Sequence, residues 1–148
     1  VGEISKDIRD EAQKTILEFE RLMYKYEFHQ VMNLMDTYIR NINKYWVKNI
    51  KQAEDNNDDN LRRQVLLDTF HMVRTAAVLM HPIAPEGTEM ILDYLNIEGS
   101  GDFWSWDHIF EPVYTFISNP GEHRLKYLEP RVDFFKKHPS QVAQINEA

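Results

Sequence analysis

Apolar residues recur along the first two-thirds of the chain at helical rather than alternating spacing. Ile4, Ile8, Ala12, Ile16, Phe19, Met23 and Tyr26 follow one another at steps of three and four, which predicts a helix over about 3–25 with these residues on one face. Lys6, Arg9, Asp10, Glu11 and Lys14 fill the rest of its surface. Phe28, Val31, Met32, Met35, Ile39, Ile42 and Trp46 repeat the pattern and predict a second helix over about 27–52. The run Glu54 to Asn60 breaks it, because Asp and Asn favour turns and caps over helix interiors. Asp59 or Asn60 is the expected N-cap of a third helix over about 61–80, striped by Leu61, Val65, Leu66, Phe70, Val73, Ala77 and Met80. Pro82 stops that helix, since the residue before a proline is driven out of the α region. Pro85 suits the first position of a fourth helix, where its missing N–H is no loss. That helix is expected to reach about Leu95, before Gly99-Ser100-Gly101.

Beyond this point the period weakens. Phe103 to Pro120 is rich in aromatics and reads as irregular with one short helical turn. Leu125 to Phe135 reads as extended, with Leu128, Val132 and Phe134 apolar and Pro130 interrupting. His138 to Ala148 reads as a frayed tail or a last helical turn. No repeat and no linker divides the chain, so residues 1–148 form one expected domain. Helices with short joins imply antiparallel neighbours. The expected fold is therefore all-α: an up-down antiparallel bundle of four main helices with an irregular aromatic-rich C-terminal segment.

Composition agrees with this and narrows the chemistry. The chain is 43% hydrophobic and 28% charged with 5 glycines, a balance suited to a helical core. It contains no cysteine, so it has neither disulfides nor thiolate chemistry, and an intracellular, cytoplasmic setting is expected. No apolar run approaches the ~20 residues of a membrane span, so no membrane partner is expected. The chain opens on Val1 rather than Met, and we read it as a fragment of a longer one. The net charge of −7 argues against indiscriminate nucleic-acid binding, which needs a basic surface. It leaves room for a local basic face.

No catalytic or metal site is legible. There is no glycine-rich phosphate loop and no nucleophile elbow. His29, His71, His81, His108, His123 and His138 form no i, i+4 pair of the kind a helix uses to hold a metal. The acidic run at 54–59 reads as a solvated loop.

Several segments in order resemble the anticodon-binding domain of class I aminoacyl-tRNA synthetases, most closely the methionyl type. They are Tyr26-Glu27-Phe28-His29-Gln30-Val31, Asn43-Lys44-Tyr45, Met80-His81-Pro82-Ile83-Ala84-Pro85-Glu86, and Trp106-Asp107 followed by Gly121, His123, Leu125 and Pro130-Arg131-Val132. The join at Pro82 and Pro85 is shared with the isoleucyl, valyl and leucyl types. The ending from Trp106-Asp107 to Pro130-Arg131-Val132 points to the methionyl one. The class I signatures of the HIGH and KMSKS kind are not in the chain. His81-Pro82-Ile83-Ala84 is no substitute, because it follows a helix rather than a strand and lacks the glycine. The resemblance implies a helical module that grips a tRNA anticodon stem-loop and reads its bases. It implies a parent ATP-dependent methionine–tRNA ligase, a role in protein biosynthesis, and a catalytic domain in the same parent chain as neighbour. This chain itself would need no cofactor.

One feature of the family is displaced. Its Pro-Trp pair, whose tryptophan stacks on an anticodon base, would fall on Lys51-Gln52, whereas the nearby tryptophan is Trp46. Trp46 shares the apolar stripe with Ile39 and Ile42, where core packing is the default and base stacking the alternative. The expected tRNA-binding residues are Arg40, Asn41, Asn43, Lys44, Trp46, Lys48 and Lys51, with Asn49 in the same run. Arg and Lys suit phosphates, and Asn suits base edges. Arg62, Arg63 and Arg74 extend this expected patch, and Trp104 is expected to pack. Two other readings compete: a divergent synthetase-like domain with changed or lost anticodon specificity, and a helical protein-interaction domain.

Overall fold

The computed structural model describes residues 2–97, 101–109, 122–124 and 126. Four helices run in order: α1 (Lys6–Tyr24), α2 (Phe28–Asp55), α3 (Asp59–Met80) and α4 (Pro85–Leu95). Two 3₁₀ turns follow, Gly101–Trp104 and Trp106–His108. No strand occurs among the described residues, so the all-α bundle expected from the periodicity is the observed fold. The extended reading of 125–135 and the tail at 138–148 lie outside the described residues, Lys126 apart.

The joins are tighter than the sequence implied. The expected seven-residue break at 54–60 shrinks to Asn56–Asp58, because α2 continues through Asp55 and α3 begins at Asp59. Asn57 takes the left-handed conformation at φ 50°. Its N–H bonds to Glu54 O at 3.1 Å, and Asp58 N bonds to Ala53 O at 2.8 Å, which is the Schellman closure of a helix end. The Asp58 carboxylate then caps α3 by accepting from Leu61 N at 3.0 Å. The same closure ends α1 at Tyr26 (φ 60°) and α4 at Asn96 (φ 53°). Pro85 opens α4 as expected. Residues 3–5, expected inside the first helix, precede it and lie against α3, where Ser5 bonds to Asp68.

Ile8, Ile16, Phe19 and Leu22 of α1 meet Val31, Met35, Tyr38 and Ile42 of α2 and Met72, Ala76, Val78 and Leu79 of α3 in one core. The expected stripes of α1 and α2 hold in part: Tyr26, Phe28, Met32 and Ile39 are exposed instead. The largest departure is α3, which packs against all three other helices. Leu66 and Phe70 of its expected stripe are exposed, while Asp68, His71, Arg74 and Thr75 are buried. From His71 to Leu79 the helix is buried on almost every side, so this half has little solvent face for its polar residues, and burial there is costly without partners.

The Arg74 guanidinium lies over the Phe103 ring, 5.3 Å from its centroid, and donates to Phe103 O at 3.4 Å. This ties the 101–109 segment to the bundle. Trp106 packs on Phe19 at 5.9 Å between centroids, and His81 stacks on Trp104 at 4.1 Å. The His81 Nε2 also faces Glu89 Oε1 at 3.3 Å, so the join between α3 and α4 is held from both sides.

Two stability predictions follow from these details. A side chain at φ near +60° costs roughly 1–2 kcal/mol that glycine avoids. Tyr26→Gly, at a site 79% exposed, should therefore raise the unfolding free energy by about 0.5–1 kcal/mol in urea titration. Burial, aided by the Arg74 charge, depresses the His71 pKa to about 4. The unfolded chain then binds a proton near pH 6.5 that the native state refuses. Stability from this group is intact above pH 6.5 and is lost as pH falls toward 4, by about 2 kcal/mol between pH 7 and 5. His71→Gln should flatten that part of the stability profile.

Candidate nucleic-acid interface

A helix turns about 100° per residue, and this sorts the expected site residues into three groups. Arg40, Lys44 and Lys51 fall on the side of α2 opposite Val31, Met35 and Ile42, with Lys48 at its edge. All four cations are exposed. They form a ridge about 17 Å long at 1.5 Å per residue. Among the described residues, Lys44, Lys48 and Lys51 make no ion pair. Arg40 is held by Asp36 one turn back, Nε to Oδ2 at 2.8 Å. With side chains 70% and 63% exposed, that pair is weak and exchangeable.

Asn41 turns toward α1, where its amide donates to Glu11 Oε1 at 3.0 Å. Asn49 donates to Tyr45 O within its own helix at 2.8 Å. Neither amide is free to read a base in this arrangement. Asn43 and Trp46 lie on the opposite shoulder of the ridge and line an apolar groove between α2, α3 and α4. The groove encloses about 430 Å³ against Ile39, Val73, Met80 and Ile91. Trp46 also walls a second recess of about 250 Å³ with Leu66, Phe70 and Val73. Its indole is therefore half-buried at the junction of two recesses.

Arg62 and Arg63 stand at the start of α3, and Arg62 pairs with Asp59 at 3.4 Å. Arg74 does not extend the patch. It is 1% exposed and turned inward onto Phe103, because its place on α3 faces the 101–109 segment rather than solvent. Trp104 packs against the core as expected.

Sequence reasoning missed the side-chain contact that joins this stretch of α2 to α3. Tyr45 donates its hydroxyl to the fully buried Asp68 at 2.7 Å, and burial and that carboxylate raise its pKa, keeping the phenol protonated. The only advance signal is an aspartate at a mid-helix position flanked by apolar residues, Leu66 and Leu67 before it and Phe70 after it.

In equilibrium unfolding, Arg40→Ala should change stability by less than about 0.5 kcal/mol, since its ion pair is exposed. Trp46→Ala should cost about 1–3 kcal/mol through lost apolar contact.

In a comparison with known families, residues 5–122 match the anticodon-binding domain of tRNA ligase. No curated protein and no solved structure matches the chain. The match takes in all four helices and the α2 ridge, and the chain belongs to the anticodon-binding domain family of tRNA ligases.

Proposed function

We propose that this chain reads the anticodon stem-loop of a methionine tRNA, as the recognition module of a methionyl-type ligase. The observation that carries the reading is the α2 ridge, where Lys44, Lys48 and Lys51 stand exposed, with no ion pair among the described residues, in a chain of net charge −7. These cations hold phosphates and set register. Beside them Trp46 offers an aromatic wall on which an unstacked loop base can lie, with Asn43 at the groove edge for a polar contact. The ending from Trp106-Asp107 to Pro130-Arg131-Val132 supports the methionyl assignment. The chemistry of such a ligase belongs to a catalytic domain that uses ATP, working in the cytoplasm beside this module.

The test is binding of the full-length protein to a labelled methionine anticodon hairpin, followed by anisotropy between 50 and 200 mM salt. We expect affinity to fall steeply with salt, and Lys44→Gln, Lys48→Gln or Lys51→Gln each to lower the log–log slope by about 1. Trp46→Ala should weaken binding about tenfold or more. Asp36→Asn, which releases Arg40, should strengthen it. Binding that is absent at low salt, or indifferent to the lysines, refutes the proposal. Equal affinity for hairpins with exchanged anticodons would assign the chain to a divergent relative with lost specificity. Exposed Phe28, Met32 and Ile39 on α2, the last of them lining the groove, favour a second reading, a docking face for a protein partner. In that case RNA binding is absent and the lysine variants are silent.

A further inference from the structure

The cationic part of α2 stands on weak foundations. Between Ile42 and Ala53 no side chain is fully buried, although this interval carries Lys44, Trp46, Lys48 and Lys51. Half-buried apolar residues hold a helix close to its neighbours but resist rotation about its axis poorly. A rotation of about 30° moves a group at the surface of a helix 10–12 Å across by about 3 Å. That distance is enough to break a phosphate contact.

One directional bond fixes the angle. The Tyr45 hydroxyl donates to Asp68 Oδ2 at 2.7 Å. Among the described residues it is the one side-chain hydrogen bond that joins residues 43–52 to another helix. Asp68 cannot follow if Tyr45 moves, because it is held by three further donors. Ser5 N and Gln64 Nε2 donate to Oδ1 at 2.8 and 3.0 Å, and Ser5 Oγ donates to Oδ2 at 2.6 Å. Both oxygens are thus occupied twice, by groups from the segment before α1, from α2 and from α3. Asp68 is 0% exposed, so water does not replace a lost partner.

We propose that Asp68, acting through the Tyr45 hydroxyl, is a positioning residue for RNA binding that fixes the rotation of the α2 stretch carrying Lys44, Trp46, Lys48 and Lys51. The inference rests on the RNA-reading function proposed above. Asp68 touches no RNA itself. It sets how many cations of the ridge meet phosphates together.

The number of phosphates contacted is read by the salt dependence of affinity, which a merely destabilising change leaves alone while the protein remains folded. The experiment measures hairpin binding by the full-length protein at several salt concentrations, at a temperature where circular dichroism shows every variant folded. Tyr45→Phe removes only the hydroxyl. We expect it to weaken binding about five- to tenfold and to lower the salt slope by about 1. Asp68→Asn should do the same where it folds, and Tyr45→Phe keeps the test decisive where it does not. Ile16→Val, a core change on α1, serves as control and should lower the melting temperature with the slope unchanged. Wild-type affinity and slope in Tyr45→Phe would overturn the positioning role while leaving the RNA-reading function standing. A wild-type protein that does not bind the hairpin would overturn both.

Discussion

Four hydrogen-bond donors converge on the buried carboxylate of Asp68, and the arrangement of the bundle depends on that convergence. A charge removed from water is tolerated only when its lone pairs are satisfied by fixed donors. Here the donors come from the segment ahead of α1, from α2 and from α3 itself. Satisfying one group therefore fixes three pieces of chain relative to one another. Apolar packing alone tolerates sliding and rotation far better than such a directional network. The core of Phe19, Met35, Met72 and Leu79 gives the bundle its cohesion, and Asp68 gives its upper reaches their register.

α3 is the element that makes this necessary. It touches α1, α2 and α4, and the 101–109 segment lies over Arg74. An enclosed helix usually carries apolar residues all round. This one carries Asp68, His71, Arg74 and Thr75 inside, and Asp68 and Arg74 are each held by groups of neighbouring elements. The reward is specificity of arrangement: Arg74 requires the Phe103 ring and carbonyl, and Asp68 requires Ser5 and Tyr45. The balance is conditional on pH, because His71 is held neutral by burial.

On α2 the division of labour is geometric. One side enters the core, the opposite side displays the cations, and the shoulder between them lines the groove with Ile39, Asn43 and Trp46. The proposed hairpin binding calls on the ridge for charge toward the backbone and on the Trp46-walled recess for a flat apolar wall toward a base.

The sequence by itself determined the helices, their order and the antiparallel arrangement, because apolar spacing and proline placement are local signals. Pro85 at the first position of α4 and the core stripe from Ile8 to Phe19 were legible for that reason. The basic run on α2 was legible as well, since like charges four residues apart share a face. The sequence did not determine which of those groups are free. Asn41 is drawn to Glu11 and Arg40 to Asp36, and the first of these partners is 30 residues away. Nor did it determine that α3 is the enclosed helix, since its apolar period reads the same with Phe70 inside or outside. Burial depends on how many neighbours surround a helix, and hydrogen bonds on which distant groups arrive beside it. Those are properties of the assembled bundle, so only the tertiary structure decided that Asp68 and Arg74 lie within and that the Tyr45 hydroxyl reaches Asp68.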